Sequence, residues 1–99
     1  MRLAAGDRVH MVGVGGSGMA ALAALLLDRG CRVSGSDLAM SEGVHSLLRR
    51  GARVRVGPHR HENLSEGSAL VIHSAAVSER NPELAAARLQ RIEVLRYSA

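Results

Sequence analysis

An apolar, β-branched run over residues 8–14 breaks into Gly13-Val14-Gly15-Gly16-Ser17-Gly18, and a run with helical spacing starts directly behind it. No other feature constrains the fold as much. Four glycines among six residues end one regular element and let the backbone turn sharply into the next. Gly13, Gly15 and Gly18 have the spacing G-x-G-x-x-G, which between a strand and a helix forms the phosphate-binding turn of a βαβ unit. The helix is predicted over 17–28, with Ser17 as its cap and Met19, Leu22, Ala23, Leu26 and Leu27 on one face. Arg29 and Gly30 stop it, the cation near the negative dipole end and the glycine just beyond.

The pattern Leu-Leu-x-Arg-Gly-x-Arg-Val at 26–33 returns at 47–54, so a helix stops and hands over to a strand twice in the same way. That predicts a strand over 31–35 closed by Ser36 and Asp37, a helix over 41–50, and a third strand over 52–56. A polar stretch follows Gly57-Pro58, with a helical turn expected at 62–65. Residues 69–73 form a continuous apolar run ending in His73, the mark of a strand buried on both faces. Asn81-Pro82-Glu83 opens a helix reaching 91, and 92–95 is a fifth strand. The expected fold class is α/β, a Rossmann-like open parallel sheet of about five strands with helices on both faces, in a single domain over 1–99. The chain stops at Tyr97-Ser98-Ala99, directly after a strand, which predicts a fragment of a larger protein.

Composition narrows the chemistry. All thirteen basic residues are arginine, set against nine acidic ones for a net charge of +4. Without lysine there is no Schiff-base amine and no phosphate-loop lysine. A single cysteine, Cys31, excludes an internal disulfide and a cysteine-built zinc site, and fits a reducing compartment. With Tyr97 as the one aromatic residue there is no stacking platform for single-stranded nucleic acid. The arginines are spread along the chain in runs of at most two, which predicts a solvated set and no nucleic-acid partner. Residues 9–27 carry no formal charge, but the glycines break the stretch and no secretory cleavage pattern is present. The expectation is a cytoplasmic protein with no membrane partner.

His10 and His73 sit among apolar strand residues and read as satisfied core histidines. His59 and His61 lack further ligands at fitting spacing, so no metal site is predicted. In the glycine turn, Gly13 permits the bend, Gly15 admits a ligand's phosphates close to the backbone, and Gly18 allows helix and strand to pack. Free N–H groups in the first helical turn then face the anion, while Asp37 can accept hydrogen bonds from a ribose. These residues describe a nucleotide diphosphate site. NAD and a UDP-sugar both present a ribose and a pyrophosphate, so both stay open.

The segment from His10 to Met19, then Ser34-Gly35-Ser36-Asp37, His59 with Glu62-Asn63, Ser74-Ala75-Ala76-Val77 and Asn81-Pro82-Glu83-Leu84 together resemble the N-terminal domain of the Mur ligases. The likeness is to the branch that joins L-alanine to UDP-N-acetylmuramate in the peptidoglycan synthesis of the cell wall. It implies a three-domain enzyme. The first domain holds the uridine diphosphate, the second carries ATP and Mg2+, and the third helps to hold the amino acid. This chain would be the first domain alone, inactive by itself, with no catalytic residue or cofactor of its own. The absence of a G-x-x-x-x-G-K-[ST] match agrees with that.

By the same resemblance, the amides of Gly15, Gly16, Ser17, Gly18 and Met19 hold the pyrophosphate beyond the turn at Gly13. Ser36 and Asp37 lie by the ribose and uracil, His59 approaches the uracil from the loop after the third strand, and Ser74, Ala75 and Ala76 line the nucleoside pocket. Two positions depart from the family pattern. Pro58 stands where glycine is usual, with His61 close by, and Glu93 replaces a frequent proline. Two other functions fit the same residues: an NAD-binding domain of an oxidoreductase or regulatory protein, and an interaction module with a vestigial nucleotide site.

Overall fold

The computed structural model describes residues 3–98. Its elements run β1 Arg8–Val12, α1 Met19–Asp28, β2 Arg32–Asp37, α2 Glu42–Arg49, β3 Arg53–Val56, a 3-10 turn His61–Asn63, β4 Leu70–Ser74, α3 Pro82–Leu89 and β5 Glu93–Tyr97. The five strands form one sheet in the order β3-β2-β1-β4-β5, and every neighbouring pair is parallel. The expected Rossmann-like α/β fold is therefore the observed one.

Strand alternation divides the core between two faces. Val9 and Met11 of β1, with Val33, Leu70 and Ile72, pack under Met19, Ala23 and Leu26 of α1 and Val44 and Leu47 of α2. On the reverse face Val12 and Val71 meet Leu84 and Ala87 of α3, edged by Leu64, Val77, Ile92 and Val94. β4 is buried at all five positions, as its unbroken apolar run requires of a strand covered on both sides. No described helix is long and apolar enough to cross a membrane.

Several boundaries move, each for a local reason. Helix α1 begins at Met19, capped by Gly18 at φ 76 without a side-chain hydrogen bond, so Ser17 is not the cap. The left-handed turn belongs to glycine, and it leaves Ser17 exposed. Strand β2 runs on through Ser36 and Asp37 because these pair with Arg55 and Val56. Strand β5 extends to Tyr97, which pairs with Ser74. The helical turn after β3 falls one residue earlier than expected, at His61–Asn63. The other two helices are capped by side chains: Ser41 Oγ accepts from the Val44 amide at 3.2 Å, and Asn81 Oδ1 from the Glu83 amide at 2.9 Å.

Candidate functional site

In the order β3-β2-β1-β4-β5, the chain leaves β1 toward β2 and leaves β4 toward β5, so the two central strands open a crevice between their carboxyl ends. The glycine turn follows β1 and Ser74 ends β4, placing both at that crevice. They are in close contact. A Cβ on Gly13, whose φ is 78°, would come within 2.7 Å of Ser74 Oγ and 3.0 Å of Val77 Cγ2. One on Gly16 would lie 3.3 Å from Ser74 Cβ. From the other side, the Gly13 and Val14 amides donate to the Ser36 carbonyl at 2.8 and 3.1 Å. The turn is thus clamped between β2 and β4.

The turn's own hydrogen bonds determine which donors remain for a ligand. The Gly15 amide donates to Asp37 Oδ2 at 2.8 Å, the Gly16 amide to the Gly13 carbonyl at 2.9 Å, and the Met19 amide to the Gly16 carbonyl at 3.0 Å. Among the described residues, the amides of Ser17, Gly18, Ala20 and Ala21 have no partner within the protein. Two of the five amides expected at a pyrophosphate therefore stand free, and two more, at Ala20 and Ala21, follow in the first turn of α1. All four lie at the positive end of the helix dipole. Gly15 has a packing role as well: a Cβ there would lie 3.0 Å from Asp37 Oδ2, Ser41 Oγ and Val44 Cγ2. The start of α2 closes on that glycine, so a larger side chain would disturb the fold as well as a ligand.

Asp37 sits half-buried at the end of β2, and the loop after β3 is tied to it by the Gly57 amide, which donates to the Asp37 carbonyl at 2.9 Å. This brings His59 to the same edge of the sheet. Its Nδ1 lies 3.0 Å from Ser36 Oγ and 3.2 Å from Glu83 Oε2. His61 instead is exposed beside Glu62, so of the two histidines His59 is the one turned inward. Ala75 and Ala76 are exposed in the turn that the Val77 amide closes on the Ser74 carbonyl.

Glu83 is the residue that the sequence does not disclose. Its place behind Asn-Pro is fully explained as a carboxylate in a first helical turn. The fold carries it under the sheet, where it is fully buried. There Oε1 accepts from His10 Nε2 and Ser36 Oγ, each at 2.7 Å. Oε2 accepts from Asn63 Nδ2 at 2.9 Å and from the Arg60 amide at 3.2 Å, alongside His59. Burial pushes the carboxyl upward, but hydrogen bonds from His10, Asn63 and Ser36, with the charge of His10, outweigh it and bring the pKa from 4.5 to about 2. His10 is satisfied on its other side by Ser34 Oγ at 2.8 Å, and His73 Nδ1 lies 3.0 Å from the Ser74 carbonyl. Both are core histidines held by polar partners.

Arginines that are spread along the sequence also gather. Arg8, Arg32 and Arg53 come together near the starts of β1, β2 and β3, lining a concavity of about 340 Å³ with Cys31, Ser34 and Ser65. It lies at the edge of the sheet opposite the glycine turn.

Residues 8–99 match the model described as Mur ligase family, catalytic domain. The chain belongs to the Mur ligase family. It is 47% identical over 92 residues to the UDP-N-acetylmuramate--L-alanine ligase of Mycobacterium avium, a match covering 90% of this chain and 18% of that protein. Among solved structures, the UDP-N-acetylmuramate-alanine ligase of Thermotoga maritima superposes with a TM-score of 0.82 at 34% identity, over 90% of this chain and 20% of that one. The UDP-N-acetylmuramate:L-alanyl-gamma-D-glutamyl-meso-diaminopimelate ligase of Neisseria meningitides shares the fold, with a TM-score of 0.79 at 22% identity over 93% of this chain and 29% of that one. This chain spans about a fifth of the length of the L-alanine ligases it matches.

Proposed function

We propose that this chain holds the uridine diphosphate of UDP-N-acetylmuramate, as one domain of a cytoplasmic, ATP-dependent ligase that joins L-alanine to that nucleotide sugar in peptidoglycan synthesis. The observation that carries the reading is the free set of amides at Ser17, Gly18, Ala20 and Ala21, at the mouth of α1 between Asp37 and Ser74. Pyrophosphate oxygens accept from such donors, and the helix dipole favours their charge. On this reading Asp37, which braces the Gly15 amide, accepts from the ribose, and His59, hydrogen-bonded to Ser36, meets the base. The name and 47% identity of the Mycobacterium avium relative support this ligand over NAD.

The residues present do not fit ATP and Mg2+. The chain has no lysine, and its glycine turn is not a G-x-x-x-x-G-K-[ST] loop. Activation of the muramoyl carboxylate and attack by the L-alanine amine are therefore assigned to domains outside this sequence. What this chain contributes is binding and orientation, which raise the effective concentration of one reactant beside the others.

Calorimetric titration with UDP-N-acetylmuramate, UDP and NAD tests the reading. The two uridine ligands should bind and NAD should not. Binding of NAD at least as tight as that of the UDP-sugar would establish the dinucleotide reading instead, and no binding of any of the three would leave an interaction module.

A further inference from the structure

The bonds around Glu83 dictate where the proton on His59 sits. An ionised carboxylate only accepts hydrogen bonds, and a serine hydroxyl has a single proton to give. The 2.7 Å contact between Ser36 Oγ and Glu83 Oε1 takes that proton. Ser36 therefore meets His59 Nδ1, 3.0 Å away, with a lone pair. Glu83 Oε2 offers the same atom a second lone pair at 3.2 Å. With acceptors on both sides, Nδ1 must carry the hydrogen, and in the neutral form of the ring the lone pair then sits on Nε2. That nitrogen has no protein partner, and no buried side-chain polar atom among the described residues is left unsatisfied, so Nε2 faces solvent.

We propose that Glu83 is a positioning residue that fixes the tautomer of His59, so that Nε2 acts as an acceptor and the site selects a base presenting a ring N–H. This rests on the reading that His59 faces the base of a bound nucleotide. Uracil carries such an N–H on its pairing edge. Cytosine has an unprotonated ring nitrogen at the same place and would set lone pair against lone pair. Glu83 needs no contact with the ligand to impose this choice. It also accepts from Asn63 and from the Arg60 amide, which holds the segment after His59 in the same orientation.

Two measurements decide it. A long-range proton–nitrogen spectrum of the 15N-labelled chain, without ligand at neutral pH, should show His59 protonated at Nδ1 and bare at Nε2. Glu83→Gln, whose amide can donate toward His59, should shift that signal toward the other tautomer; if the variant fails to fold, the spectrum of the unmodified chain still decides. In parallel titrations UDP should bind about tenfold or more tightly than CDP, the penalty for an unpaired polar group. His59→Ala should abolish that preference. A proton on Nε2 in the unmodified chain, or equal affinities for UDP and CDP, overturns the proposal. If neither nucleotide binds, base selection falls with the uridine-diphosphate reading, and the spectrum alone upholds or rejects the positioning role.

Discussion

The Asp37 carboxylate accepts the Gly15 amide at 2.8 Å, so the end of β2 and the turn after β1 are joined before any ligand arrives. A charge-assisted bond of this kind is stronger than a neutral one. It braces the turn in which the amides of Ser17 and Gly18 have no partner among the described residues.

Asp37→Ala removes that brace and leaves the Gly15 amide without its partner. Stability should fall by about 1–3 kcal/mol, read by urea or guanidinium titration, and affinity for UDP should fall with it. Asp37→Asn keeps an acceptor oxygen and should recover most of the stability. An alanine variant as stable as the parent would show that the bond gives the turn no support.

Gly13 and Gly51 both have positive φ, at 78° and 99°, yet only Gly13 is crowded. A Cβ on Gly51 meets nothing within 4 Å, so Gly51→Ala should cost about 1–2 kcal/mol through backbone strain alone. Gly13→Ala adds the collision with Ser74 and should cost at least about 1 kcal/mol more. In a domain of this size, thermal melts should separate the two variants by roughly 4–8 °C.

Serine 41 caps α2 through its hydroxyl, whereas Ser17 makes no cap bond to α1. Ser41→Ala should therefore lower stability by about 1 kcal/mol. Ser17→Ala, at an exposed position, should change it by less than about 0.5 kcal/mol. Equal losses in denaturant titrations would return Ser17 to the capping role expected from its residue type.

Glu83 makes stability depend on acid. Its folded pKa of about 2 lies below the ordinary 4.5, so the contribution is complete above 4.5 and drains away as pH falls toward 2. At 1.36 kcal/mol per pKa unit the loss amounts to roughly 3 kcal/mol. Denaturant midpoints measured between pH 6 and 2 should fall steeply in this window. Glu83→Gln, less stable at neutral pH, should give a flatter profile. Parallel profiles would mean that the carboxylate is not held as the geometry indicates.

Fold class was legible because its signals are local and repeated. Glycine spacing, two helix stops of one design and an unbroken apolar strand all point to parallel βα units. The turn was read less completely. Serine is a favoured cap, but the left-handed φ of Gly18 moves the helix start by two residues and passes the capping position to glycine. The end of β2 was obscured because Ser36 and Asp37 are turn-forming types, and only their pairing with β3 keeps them extended. Glu83 was illegible for another reason. Its local role in a first helical turn was sufficient, and its partners His10, Ser36 and His59 lie far back in the chain. Which amides stay free is likewise decided by bonds across strands, such as that from Gly15 to Asp37.

The order β3-β2-β1-β4-β5 leaves β3 at one margin of the sheet with half its backbone groups unpaired. An unguarded margin invites a foreign strand to dock. Here it is only four residues long, and Arg53 and Arg55 alternate along it, both exposed. Two such strands brought edge to edge would set guanidinium against guanidinium over too short a ladder to offset the repulsion. The arginines of β3 thus discourage the sheet from growing past that margin.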